Sequence, residues 1–391
     1  MQQPLSVRKV ESKADFKAFF KIPWKVYQGD PNWVPPLLSI RRELLDKDKN
    51  PSWEYLEGDY FVAWRGEQPV GTIAAFVNHR HNEYHNEHVA WFGFFEVLED
   101  EAAAQALLQT AINWATAGGY EAIRGPQSFT THEECGLLID GFEQPVMLMP
   151  YNPPYYQAIV ENGGFHKVMD TYSLIIRYDD ESQQKGGQID LMQRAIARIK
   201  RNNDAQVRTI DRKNMRQDFE LFKSLYNQAW EKNWGFVPMT DRELDALIDS
   251  LVQFFDPELA CFVEVNGEPA GFMLAVPDFN QVLKYAYPRP GTPESITLIK
   301  ALWHWKIRPK IDRIRIPLLG IKAEYRTMGL DLLLYNYLRD LLTRPDSRYD
   351  YLDAGWVLET NNALLGILDR AGMERYRTYR FYERKLTSAA D

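Results

Sequence analysis

Hydrophobic positions along this chain switch between a period of two and a period near 3.6, and they do so twice in the same order. The run VRKV at Val7 leads into a helix-like stretch carrying Asp15-Phe16, which ends at Trp33-Val34-Pro35. The same succession returns as VRTI at Val207, Asp218-Phe219 and Phe236-Val237-Pro238. A hairpin pattern follows in both: YFVAW, RGEQ and PVGTIAAFV in the first copy, ACFVEV, NGE and PAGFMLAV in the second. Short apolar runs flanking a Gly-containing turn mark antiparallel strands. Each copy then predicts a strand, a leucine- or alanine-rich helix, a strand and a short helix that stops at Gly164-Phe165 or Gly372-Met373. Such a repeat predicts two α/β domains of like topology, each a mixed sheet flanked by helices. The expected boundaries are 1–180 and 196–391 with a linker over 181–195. The join lies near Asp179 to Gln188, where DDESQQKGGQ is polar and contains Gly.

In the second copy, IPLLGIKAEYRTMGLDLLLYNYLRDLL joins a β-rich run, Ile314 to Ile321, to a helix in which Leu330, Leu333, Leu334, Tyr337, Leu338 and Leu341 recur at helical spacing. The loop therefore feeds a helix N-terminus, whose dipole favours an anion such as a pyrophosphate. Arg326 supplies a cation there, and Gly329 lets the backbone approach closely. An ordinary strand, loop and amphipathic helix would read the same way. The matching loop of the first copy, LEDEAAAQALL, has neither Arg nor Gly. Its Glu99, Asp100 and Glu101 suit a helix dipole but repel a pyrophosphate.

Composition narrows the classes. A chain of 391 residues with 45% hydrophobic content buries a sizeable core but exceeds the usual single α/β domain. No run approaches the roughly 20 apolar residues of a membrane helix, and MQQPLSVRKVESKADF lacks a signal-peptide core, so a soluble cytoplasmic protein with at most peripheral membrane contact is expected. A net charge of -8 speaks against nucleic acid as partner. The short basic segment Arg194 to Arg201 reads as a solvated helix face. Cys135 and Cys261 form neither a disulfide framework nor a zinc-type cluster, and Cys261 in LACFVEV reads as core.

The first copy holds most of the distinctive polar chemistry. WFGFFEV places Glu96 at the end of a predicted central strand. SFTTHEECGLLIDGF gathers His132, Glu133 and Glu134, and MPYNPPYYQAIVENGGF brings Tyr151, Asn152, Tyr155 and Tyr156 to a helix start, made credible by its prolines. His79, His81, His85 and His88 crowd into NHRHNEYHNEH, which shows neither helical nor strand period and reads as a solvated loop in preference to a metal site. His132 and Cys135 lack the orienting third group of a nucleophile and base pair.

Strand, R-x-x-G-x-[GA] loop and helix resemble the coenzyme A pyrophosphate motif of the GNAT superfamily, with Arg326, Gly329 and Asp331 at its marked positions. Asp331 departs from the usual Gly or Ala. NNALLGILDRAGMERYRTYRF resembles the second family motif with Asn361 and Gly372 in register, and Leu368 stands where many members carry an acidic tyrosine. The resemblance implies acyl-CoA or acetyl-CoA as co-substrate and no metal, with Ile321, Arg326, Thr327, Met328, Gly329, Leu330, Asp331 and Asn361 binding the thioester. DPNWVPPL, FGFFE, CGLLIDGF and YNPPYY together resemble a bacterial set, the YghO-like proteins, which include bacterial ceramide synthase-like acyltransferases. That implies N-acyl transfer to a small-molecule or lipid-like, sphingoid-type amine. Glu96 is the implied base, acting directly or through water or His132, and Tyr151, Tyr155 or Tyr156 the acid for the leaving thiolate, while Glu133 and Asn152 contact substrate. The implied division puts the thioester loop on the second copy and the amine chemistry on the first. Other readings are an acyl carrier protein as donor, which a basic patch would favour, a FemABX-like aminoacyl transferase, which the acidic charge disfavours, and a non-catalytic binding protein, to which Asp331 and Leu368 point.

Overall fold

The computed structural model describes residues 3–178, 186–211, 213–230, 233–252 and 256–386. In chain order the first copy forms β1 (Leu5–Lys9), α1 (Lys13–Lys21), α2 (Pro23–Val26), α3 (Leu38–Leu45), β2 (Leu56–Arg65), β3 (Gln68–Asn78), α4 (His79–His85), β4 (Val89–Val97), α5 (Glu101–Ala117), β5 (Ala122–Gly125), β6 (Leu137–Asp140), α6 (Tyr156–Asn162) and β7 (His166–Arg177). The second copy forms α7 (Gly186–Asn203), β8 (Ala205–Thr209), α8 (Met215–Trp230), α9 (Asp241–Val252), β9 (Ala260–Val265), β10 (Glu268–Pro277), α10 (Asn280–Ala286), α11 (Glu294–Leu302), β11 (Arg313–Ile321), α12 (Leu330–Leu342), β12 (Tyr351–Leu358), α13 (Asn362–Arg370) and β13 (Glu374–Lys385). Both expected hairpins are present, β2–β3 and β9–β10, and both VR runs are strands, β1 and β8. The expected join at Asp179 to Gln188 lies largely outside the described residues, and from Gly186 the segment read as linker is already helix.

The chain divides into two compact units, residues 1–171, 282–309 and 377–391 in one, and 172–281 with 310–376 in the other. In the first, β1, β2, β3 and β4 run antiparallel in order. The parallel strand β5 follows β4 and then antiparallel β13, with β6 also on β13. The second repeats this order as β8, β9, β10, β11, then parallel β12 and β7. In each unit the strand beyond the parallel pair comes from the other copy, so the units are discontinuous where the sequence suggested the spans 1–180 and 196–391.

The core of the first unit sits under α5, an alanine-rich helix whose N-cap Asp100 accepts from Ala103 N. Its inner face, Ala103, Ala104, Leu107, Leu108, Ala111 and Ala115, packs on Ala63, Ile73, Ala75, Phe92 and Val97 of the sheet. Small side chains let helix and sheet approach closely: a Cβ on Gly71 would come within 2.8 Å of the Leu107 side chain. In the second unit α12 buries Leu330, Leu333, Leu334, Leu338 and Leu341 of the helically spaced set, while Tyr337 stays partly exposed and donates to Glu258 O at 3.0 Å.

Candidate functional site

The site of the first unit begins with a fault in β4. Its register against β3 runs Gly71 with Val97 and Thr72 with Glu96, then jumps to Ala74 with Gly93, and Phe94 in the extra length holds a φ of +48°. An inserted residue reverses the alternation of faces. Ala90 and Phe92 before the bulge, and Phe95 and Val97 after it, all lie in the α5 core, which leaves Glu96 on the opposite face. Thr72 Oγ1 fixes the bulge by donating to Phe94 O at 3.0 Å.

Beyond Trp91 the parallel pairing of β4 with β5 ends, and two tyrosines of the α6 start take over its last backbone groups. Val97 N donates to Tyr156 Oη at 2.6 Å, and Tyr155 Oη donates to Val97 O at 2.7 Å. Tyr156 Oη also reaches Glu96 Oε2 at 3.1 Å. Tyr27, buried and stacked on Trp33, contacts the same carboxylate and donates to Tyr151 O at 2.9 Å, while Tyr151 Oη donates to Asp30 at 2.9 Å. Desolvation pushes the Glu96 carboxyl up to about 7, against the pull of Arg41 and of the Tyr27 and Tyr156 hydroxyls. Burial also pushes Tyr27, Tyr151, Tyr155 and Tyr156 well above the ordinary phenol range, so all four stay protonated.

Arg41, on α3, was not singled out by the sequence. Its Nε donates to Phe20 O at 3.2 Å, and its Nη2 is buried without a hydrogen-bond partner among the described residues. Burial lowers its proton affinity, and the nearby carboxylates of Glu96 and Glu134 restore part of it. A carboxylate poised near neutrality beside an unsatisfied guanidinium N–H can exchange a proton and hold an oxyanion.

Other expected residues fall elsewhere. Asn152 is buried, its side chain accepting from Leu138 N and donating to Leu138 O and Pro153 O, so it staples β6. His132 and Glu133 lie in the loop before β6, where His132 N donates to Thr130 Oγ1 at 3.3 Å. The histidine-rich stretch is not a loop. It forms α4, capped by Asn78, with His81 buried against Trp91 and hydrogen-bonded to Glu87 at 2.9 Å. No group of three or more metal-ligating side chains occurs among the described residues.

In the second unit, Gly329 caps α12 with a φ of +73°, the left-handed conformation Gly adopts without strain. Ala323–Met328, including Thr327, form a 3-10 turn leading from the buried Ile321. Arg326 donates to Ile321 O at 3.3 Å and Ala229 O at 2.8 Å, tying this turn to the end of α8. Asp331 accepts from Leu332 N, and burial raises its carboxyl. Asn361 caps α13 by accepting from Leu364 N, and Leu368 is core. The corresponding helix start in the first unit, at α5, is filled by its own Asp100, which Arg65 grips with two 2.8 Å hydrogen bonds. The second unit also has an apolar cleft lined by Phe219, Phe222, Leu247, Phe262, Phe272 and Leu274.

No protein-family model matches the chain. The solved tandem GNAT protein from the clavulanic acid biosynthesis pathway is similar in fold, with a TM-score of 0.52 at 11% identity over 98% of this chain and 99% of that one. The bacterial ceramide synthase of Caulobacter vibrioides is 31% identical over 98% of both chains. Protein YghO of Escherichia coli is 30% identical over 97% of this chain and 95% of its own. A mixed α/β architecture of tandem GNAT folds, together with full-length identity at this level, places the chain in the family of YghO and the bacterial ceramide synthase.

Proposed function

We propose that this protein transfers an acyl group from a coenzyme A thioester to the amine of a long-chain, sphingoid-like base, with Glu96 as general base. The observation that carries the reading is the Glu96 carboxyl, turned by the β4 bulge away from the α5 core, set against the Tyr27 and Tyr156 hydroxyls and held near 7. An amine must lose its proton to attack a thioester, and a base is most effective when its pKa lies near the working pH. The nitrogen forms a bond to the thioester carbon, its proton passes to Glu96, and the carbon–sulfur bond breaks. Protonated Glu96 then returns that proton to the leaving thiolate through Tyr156, 3.1 Å away, a downhill step toward a thiol of pKa about 8.5. The 31% identity to the bacterial ceramide synthase of Caulobacter vibrioides supports a long-chain amine.

The test is mass spectrometry of products formed from a panel of acyl-CoA thioesters and amines. N-acylated long-chain amines are expected, and products formed only from short or polar amines would overturn the substrate class. Within the second unit, Arg326→Ala is expected to weaken acyl-CoA binding about 10- to 100-fold by titration calorimetry, the loss of a charged hydrogen bond to phosphate. Unchanged affinity would put the thioester away from the 325–331 loop.

The pull of Arg41 on Glu96 gives a further expected result. Arg41→Gln removes a cation that holds the carboxyl down, so the rising limb of the pH–rate profile should move about one unit toward higher pH. A limb that stays in place would show that Arg41 is not felt at Glu96.

A further inference from the structure

In α11 the usual amphipathic arrangement is inverted. The side chains packed inward are the small Thr297 and Ala301, each 2% exposed, while the large apolar ones face out. Ile296, Leu298, Ile299 and Leu302 are exposed on the helix, and Trp303 and Ile307 on the π-helical turn that continues it, Trp303–Ile307. Ile299 reaches 69% exposure and Ile307 61%. A contiguous apolar face of this kind marks a contact surface, because soluble proteins seldom leave one uncovered.

The residues set among these side chains identify the occupant. Lys300, Lys306 and Arg308 are exposed on the same stretch, against the acidic balance of the whole chain. Its one carboxylate, Glu294, already accepts from Ser39 N and Oγ. Trp303 and Trp305 add aromatic rings suited to the headgroup level, with the Lys306 ammonium 3.8 Å from the Trp305 ring centroid. A two-fold dimer through this face would bring its three cations against the same three of a second copy, with only Glu294 of each stretch to offset them. No helix among the described residues is long and apolar enough to cross a membrane, so this one would lie in the plane of the interface.

We propose that α11 and the Trp303–Ile307 turn dock the protein on an anionic lipid bilayer, the apolar side chains entering the acyl boundary and the three cations meeting phosphate headgroups. The inference rests on this face alone and not on the acyl-transfer reading, although a long-chain amine would be presented at such a surface. The test is co-sedimentation of the full chain with vesicles of phosphatidylglycerol and phosphatidylcholine, or of phosphatidylcholine alone. Binding is expected on the anionic vesicles and should weaken with salt. Lys300→Ala combined with Lys306→Ala and Arg308→Ala should lose about 100-fold in affinity, roughly fivefold for each cation. Ile299→Ser combined with Leu302→Ser and Trp303→Ser should abolish sedimentation while circular dichroism stays unchanged, since these positions are exposed. The proposal is overturned if the unaltered chain ignores anionic vesicles, if both triple variants still bind, or if light scattering shows a dimer that the serine variant dissociates.

Discussion

Replacing Glu96 by Gln should lower turnover by about 10² or more while leaving acyl-CoA affinity unchanged, as loss of a general base does. The amide keeps the shape and accepts from Tyr156 but cannot take the amine's proton. In the unaltered protein kcat/KM should rise with pH through about 7, where the Glu96 carboxyl loses its proton, and the variant should lose that limb. A stability measurement supplies an independent readout. The folded-state pKa is raised from 4.5 to about 7, so between those values the folded protein holds a proton that the unfolded chain has released. Stability referred to Glu96→Gln therefore falls as pH rises from about 4.5 through 7, then levels off. The difference above pH 8 is of the order of 3 kcal/mol in favour of the variant. Thermal denaturation of both proteins from pH 5 to 8 measures it, and parallel curves would mean that the carboxyl is not desolvated. A residue that costs stability where it supplies activity is what a reactive site requires.

Much of the scaffold was legible because it depends on local period. The hairpins around RGEQ and NGE, the α12 spacing and the Gly329 cap follow from alternation, helical recurrence and the need for a positive φ. Which sheet a strand joins does not. The alternation of β7 and β13 carries no mark of the exchange that sets each in the unit of the other copy's parallel pair. The β4 bulge was hidden because WFGFF, Trp91 to Phe95, is apolar throughout, so a reversal of faces at Phe94 leaves no trace in the pattern. Glu96 could be chosen from its place at the strand end, but its surroundings could not. Arg41 stands in LSIRRELL, which reads as a surface helix, and its approach to Glu96 is long-range. α4 lacked a period because among its side chains only His81 is fully buried, and it is polar.

The second unit offers the other large effect, on folding. Where β11 and β12 run parallel, Arg315 stands in register with Asp353, both almost fully buried, with Nε and Oδ1 3.6 Å apart. The pairing ends at Ile316 with Ala354, and just beyond it Arg315 Nη2 donates to Gly355 O at 3.0 Å, while Tyr376 donates to Asp353 Oδ2 at 2.6 Å. The pair thus holds the strands at the point where they diverge. Removing one charge of a buried pair typically costs 3–5 kcal/mol, because the remaining ion keeps its desolvation penalty. Asp353→Asn should lie at the low end, near 3 kcal/mol, since the amide oxygen can still accept from Tyr376, and Asp353→Ala should lie higher because it also leaves a cavity. Chemical denaturation should show the order unaltered protein, then Asn, then Ala. An Asn variant as stable as the unaltered protein would assign the loss in Asp353→Ala to the hydrogen bond and the cavity and not to the charge. Because Asp353 and Glu96 stand in different units, activity of the folded Asn variant should keep its pH limb near 7, which separates a fault in the scaffold from one in the chemistry.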